Sequence, residues 1–175
     1  MLSFYPKSNK IVYNFDMATI IVVSDNHLRA DTITSIRQLH TEAQLFIHCG
    51  DSEMPMKLLQ GYACVRGNCD YDFELPSSLV IPVESHQIYV THGHKELFFR
   101  SYDELIKEAK KHHCDIVCFG HIHRYVDEEV DGIRLLNPGS LRNNRDGSAP
   151  SYMRIQIEDE KIQVEHLEYP KDLPH

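Results

Sequence analysis

The sequence has no apolar run of about 18 residues, so no segment of it could cross a bilayer as a helix. It lacks the basic-then-apolar opening of a secretory signal. It also lacks a surplus of positive charge: 18 Lys and Arg stand against 26 Asp and Glu, giving a formal net charge of −8 and a pI near 5.8. That balance argues against a broad footprint for duplex nucleic acid, which needs clustered Lys and Arg. It leaves a phosphate substrate open, because bound cations reverse the local charge. The five cysteines are an odd set without a CxxC pair. Cys49, Cys64, Cys114 and Cys118 lie in or beside apolar runs, and they read as reduced core residues of a cytoplasmic protein. No internal repeat, linker or low-complexity stretch interrupts the chain.

What is present fits one globular α/β domain. A chain of 175 residues, 42% hydrophobic and 25% charged, can bury roughly two-thirds of its unfolded surface. Residues 1–17 are polar and irregular and read as an extension without an assigned role, followed by a single domain over 18–175. Thr19 to Val23, Leu45 to His48 and Tyr62 to Val65 read as short buried strands. Helical spacing predicts a helix from Asp31 to Glu42 with Asp31 as N-cap, and a shorter one from Glu53 to Gln60. Leu79 to Val83 and Gln87 to Val90 read as an antiparallel pair. A helix from Tyr102 to His112 and a buried strand from Asp115 to Phe119 follow. Two hairpins turning at Asp131-Gly132 and Asp159-Glu160 close the chain. Asn137 to Ser140 reads as a turn. The order implies two sheets with helical cover.

Twelve histidines are the unusual count, and histidine is the commonest metal ligand. Asp25, Asp51, Asn68, His92 and His121 each come just after a predicted strand, where open α/β sheets place their ligand crevices. Singly these residues are caps, turn formers or hydrogen-bonded loop histidines. As an ordered set at five strand ends they deliver oxygen and imidazole donors to one place, a mixture suited to first-row divalent cations. In Gly120-His121-Ile122-His123, alternate residues of an extended segment face the same way and can grip neighbouring metals.

The order Asp25-x-His27, Gly50-Asp51, Gly67-Asn68-x-Asp70, His92-Gly93-His94 and Gly120-His121-x-His123 resembles the calcineurin-like metallophosphoesterase family. Asn137-Pro138-Gly139-Ser140 and the short length are similar to its small bacterial YfcE/YsnB-type phosphodiesterase branch. The resemblance spans about residues 18 to 168. It implies a four-layer α/β/β/α fold, a two-sheet β-sandwich flanked by helices. It further implies two divalent metal ions, with Mn expected first and Fe, Ni or Zn tolerated. Asp25, His27, Asp51 and His123 would hold one ion; Asp51, Asn68, His92 and His121 would hold the other, with Asp51 bridging. One carboxylate can span two cations about 4 Å apart, and hydroxide held between them would attack phosphorus in line.

One position departs from the pattern. Many family members carry histidine after the Asn, and that histidine is thought to assist the leaving group; here it is Cys69, a poor proton donor at neutral pH. His94 is the candidate for donating the proton or binding phosphate, against a purely orienting role. Asp70 reads as a loop-orienting residue. Arg142 and Arg145 are candidates for contacting substrate phosphate. His40, His48, His86, His112, His113, His166 and His175 fit no constellation. The expected function is hydrolysis of a small phosphodiester, with a phosphomonoesterase as the nearer rival. A protein-binding module, as in the retromer subunit of similar fold, is the more distant rival. A homo-oligomer is possible through exposed strands.

Overall fold

The computed structural model describes residues 17–97 and 101–174. The extension expected over the first residues lies, up to residue 16, outside the described ones. Among the described residues no helix is long and apolar enough to cross a membrane.

Two five-stranded sheets face each other. The first contains β1 (Ala18–Val23), β2 (Leu45–His48), β3 (Ala63–Cys64), β9 (Ser151–Glu158) and β10 (Lys161–Glu168), in the order β10-β9-β1-β2-β3. The second contains β4 (Ser78–Val83), β5 (His86–Thr91), β6 (Ile116–Cys118), β7 (Tyr125–Val130) and β8 (Ile133–Pro138), in the order β4-β5-β6-β8-β7. β1, β2 and β3 run parallel in one sheet, and β5, β6 and β8 run parallel in the other.

The period of two along each strand explains the layers. Ile20 and Val22 of β1 join Ile47, Ile88, Ile116, Leu136 and Ile155 in the core between the sheets. Their neighbours Ile21 and Val23 point outward and pack with Ile33 and Ile36 of helix α1 (Ala30–Leu39). On the other side Tyr89, Val117 and Phe119 pack with Leu105, Ile106 and Ala109 of helix α2 (Asp103–Lys111). Strands buried on both faces read as unbroken apolar runs, as β1 does. The result is the expected four-layer α/β/β/α arrangement.

Local boundaries differ in instructive places. Between 53 and 60 only a 3₁₀ turn at Met56–Leu58 forms. Glu53 is left-handed at φ 56° and Pro55 is extended, so no α-helical start can form there. The free amides of Glu53 and Met56 go instead to the carboxylates of Asp70 and Asp72. Helix α1 starts at Ala30, so Asp31 sits in its first turn rather than capping it, where a carboxylate favours the helix dipole. It stops at Leu39, because His40 turns away to contact Glu42 and the Tyr152 hydroxyl. Asn137 and Pro138 belong to β8, and the turn comes at Gly139, φ 79°.

Candidate metal centre

The carboxyl ends of β1, β2 and β3 meet those of β5 and β6 at one edge of the sandwich. Within the second sheet the Gly120 amide donates to the His92 carbonyl at 3.1 Å, and across the two sheets the His121 amide donates to Asp25 Oδ2 at 3.1 Å. Asp25, Asp51, Asn68, His92, His121 and His123 are thereby brought to one place, together with His27.

The backbone there is bent in an uncommon way. Asp25, His27, Asp51, His121 and His123 all have φ between 44° and 68°. Asp and His tolerate this left-handed region better than most residues, yet it costs on the order of 1–3 kcal/mol per residue. These bends lie in the loops just past β1, β2 and β6. Two glycines permit the crowding: a Cβ on Gly67 would collide with Asp51 Oδ1, and one on Gly120 with Ser24 Oγ.

The histidines are aimed by their outer nitrogens. His123 Nδ1 lies 3.1 Å from the Asn143 carbonyl, and His92 Nδ1 lies 2.7 Å from the Cys49 carbonyl. A carbonyl can only accept, so in both rings Nδ1 carries the hydrogen and Nε2 of the neutral ring presents a lone pair. His27 Nδ1 is 2.5 Å from Glu53 Oε1, which fixes its tautomer in the same sense. The freed Nε2 atoms converge on carboxylates. His123 Nε2 is 3.1 Å and His27 Nε2 3.9 Å from Asp25 Oδ1. His92 Nε2 is 3.3 Å from Asp51 Oδ2 and 3.2 Å from Asn68 Oδ1.

Asp25 Oδ1 is fully buried and has no hydrogen-bond partner among the described residues, a costly state for a carboxylate oxygen unless a cation faces it. Among the described residues three groups could hold a metal, the candidate ligand atoms within each lying within 4.8 Å of one another: Asp25 with His27 and His123; Asp25 with Asp51 and His92; and His27 with Asp51 and Cys69. Asp51 therefore lies within reach of both histidine clusters. The donor set of carboxylates and neutral imidazoles fits divalent first-row cations. His121 joins none of these groups, though its ring lies 5.2 Å from that of His92.

Electrostatics follow the geometry. Burial works against the charge of Asp25, but His123, His92 and the Ser24 hydroxyl outweigh it and hold the carboxyl below its ordinary range. Burial likewise opposes the charge of Asp51; His92 and the Cys69 amide prevail and hold it far down. Burial lowers His92, yet Asp51 and Asp25 more than reverse that, and its pKa is raised. His94 and His121 are lowered, by burial first and then by the charge of His92. Burial and the charge of Asp51 push the Cys69 thiol up to about 11.

Two supporting residues, Glu53 and His48, carried no legible signal of their role in the sequence, and two more, Asp70 and Ser140, were only partly anticipated. Asp70 accepts from the amides of Asp51 (2.8 Å), Glu53 (2.6 Å) and Gly67 (2.7 Å) and from the Ser52 hydroxyl (2.9 Å), so one carboxylate ties two ligand loops together. That gives its expected orienting role a concrete form. Glu53 steers His27. His48 is bonded on both nitrogens, by the Gly50 amide and to Asn26 Oδ1. Ser140 donates to the Asp25 carbonyl at 2.9 Å, which puts the Asn137–Ser140 segment against the site.

On the α2 side a cleft of about 550 Å³ opens beside the cluster. His94 and His121 line its inner end; Leu97, Tyr102 and Ile122 form an apolar wall; Arg124 and Arg145 are exposed at its rim. Arg142 is exposed and is not among its lining residues, whereas Arg145 is. Arg124 carried no signal in the sequence beyond its place next to His123. Among the described residues, His94 Nδ1 is buried without a partner.

The family model for the calcineurin-like phosphoesterase superfamily domain matches residues 18–160. The probable metallophosphoesterase YsnB of Bacillus subtilis is 33% identical over 148 residues, 83% of this chain and 88% of that protein. A Streptococcus pneumoniae structure described as a predicted phosphoesterase aligns with TM-score 0.81 at 29% identity, covering 91% of this chain and 96% of that one. The zinc-complexed vacuolar protein sorting protein 29 of Entamoeba histolytica shares the fold at TM-score 0.68 and 23% identity, over 87% of this chain and 99% of that one. The candidate ligands at the strand ends accord with the family model and the sequence relatives: the chain belongs to the calcineurin-like phosphoesterase superfamily.

Proposed function

We propose that this protein is a dinuclear metal-dependent phosphodiesterase acting on a small phosphodiester. The observation that carries the reading is Asp25 Oδ1, buried and without a hydrogen bond among the described residues, with the lone-pair nitrogens of His123 and His27 turned toward it. Asp25, His27, Asp51 and His123 would hold one cation, and Asp51, Asn68, His92 and His121 the other. Manganese is the first expectation, with Fe, Ni or Zn as substitutes. Such cations supply Lewis acidity toward the phosphoryl oxygens and lower the pKa of the attacking water.

The chain's own groups divide the remaining work. Asp70, Glu53, Cys49 and Asn143 hold the ligands in orientation, so little reorganisation is needed as charge develops. Asn68 would also contact a phosphoryl oxygen. His94, which lines the cleft and has no partner for Nδ1 among the described residues, would bind phosphate or pass a proton to the departing oxygen. Cys69, whose thiol stays protonated far above neutral pH, is a weak acid for that task. Arg145 at the cleft is the guanidinium placed to meet substrate phosphate.

The test is metal content together with turnover of bis(p-nitrophenyl) phosphate and p-nitrophenyl phosphate in Mn²⁺. The reading expects hydrolysis with preference for the diester, and a loss of about a hundredfold for His94→Ala on an alkyl-leaving-group diester. Monoester preference would contradict the diesterase assignment. Stoichiometric metal with no hydrolysis of either ester would favour a protein-binding module.

A further inference from the structure

The cleft beside the metal-binding residues is unevenly built. Its wall of Leu97, Ile122 and Tyr102 is apolar, and Tyr102 is set edge-on against Phe119 with ring centroids 5.9 Å apart. Its rim carries two guanidiniums, Arg124 and Arg145, in a chain whose net charge is −8. The Arg145 amide donates to the His123 carbonyl at 2.8 Å, which ties that arginine's loop to a ligand-bearing segment. The two cations serve different neighbours: Arg145 bears on His121, whereas Arg124 bears on Tyr102 and Asp146. A scissile diester carries one negative charge and can use the cations at the metal end. Arg124, facing the aromatic wall, is surplus to that need.

We propose that the cleft receives the leaving portion of the substrate and that this portion is a nucleoside phosphate, its base against Leu97, Tyr102 and Ile122 and its terminal phosphate on Arg124 and Arg145. The proposal rests on the phosphodiesterase reading, and on His94 at the inner end of the cleft marking the side from which the leaving oxygen departs. A flat base gains by covering apolar and aromatic surface. A terminal phosphate is close to dianionic at neutral pH and is matched by paired guanidiniums. In the reaction, the oxygen of water forms a bond to phosphorus, the ester P–O bond breaks, and the departing ribose oxygen takes a proton. No other reactant is needed.

The experiment compares kcat/KM for the dinucleotides ApA, pApA and ApAp with the Mn²⁺-loaded protein, its Arg124→Gln variant and the Arg124→Gln/Arg145→Gln double variant. Bis(p-nitrophenyl) phosphate serves as the reference diester for the unmodified protein. One charge-assisted contact at a partly exposed rim predicts about a tenfold preference for a phosphorylated dinucleotide over ApA. That preference falls toward parity in Arg124→Gln, and the change lies in KM rather than kcat. Parity in the unmodified protein, or a preference that survives the double substitution, overturns the proposal while turnover of the reference diester leaves the phosphodiesterase reading standing. Absence of turnover on the reference diester overturns both.

Discussion

His48 and His92 are both fully buried, one at the end of β2 and the other just past β5, and they behave in opposite ways. His48 has both nitrogens engaged by the protein, one accepting from the Gly50 amide and one donating to Asn26. Burial leaves it neutral, with a pKa lowered to about 4. His92 gives Nδ1 to a carbonyl, and its Nε2 faces the oxygens of Asp51 and Asn68 at the centre of the cluster. Burial lowers its pKa, but the carboxylates of Asp51 and Asp25 more than reverse that. The difference lies in the second nitrogen. A histidine with both nitrogens satisfied by loop groups braces a loop, and one with its second nitrogen at the centre of the cluster offers that nitrogen to a cation.

The largest expected effect comes from removing the bridge between the clusters. Asp51→Asn should lower diester turnover on the order of a thousandfold and reduce metal bound per folded chain. Retained activity would mean that Asp51 is a spectator. Breaking the brace instead should separate stability from metal binding. His48→Leu leaves the Gly50 amide and Asn26 Oδ1 buried without partners, which predicts a loss of about 2–4 kcal/mol in denaturant unfolding. Metal content per folded molecule should persist. A His48→Leu protein that folds normally but binds no metal would erase the distinction drawn between the two histidines.

Asp70→Asn sharpens it from another side, since Asp70 accepts four hydrogen bonds but faces no ligand cluster. An amide retains one acceptor oxygen, so metal affinity should weaken by about 10–100-fold with the fold intact. The smallest effect is a pH dependence of the metal-free protein. Because the folded pKa of His48 is depressed to about 4, the unfolded chain takes up its proton first as pH falls. Stability is intact above about pH 6.5 and is lost progressively down to about 4, by up to about 3 kcal/mol. His92, with its pKa raised, contributes the opposite slope: stability present at acid pH that declines as pH rises through its folded value. Replacing His48 by Leu should remove the first component and leave the second, as read by unfolding at stepped pH.

Much of this was legible because the ligands lie in sequence immediately after apolar strands. The alternation in Ile20-Ile21-Val22-Val23 is hidden by burial on both faces, yet the run itself identifies the strand. The supporting residues could not be read in the same way. Asp70 acts through amides up to 19 residues away, and Glu53 meets His27 across 26 residues. Such pairs carry no local pattern. The segment after Glu53 looks helical by spacing, but a left-handed Glu53 and an extended Pro55 override it. His48 was indistinguishable from an idle core histidine because its role depends on which loops fold over it.

The most direct measurement is the metal stoichiometry of the reconstituted protein beside His92→Ala and His48→Leu. The account predicts two divalent ions per chain for the unmodified protein and for folded His48→Leu, and about one for His92→Ala. Equal metal content in all three, or loss in His48→Leu but not in His92→Ala, would contradict it.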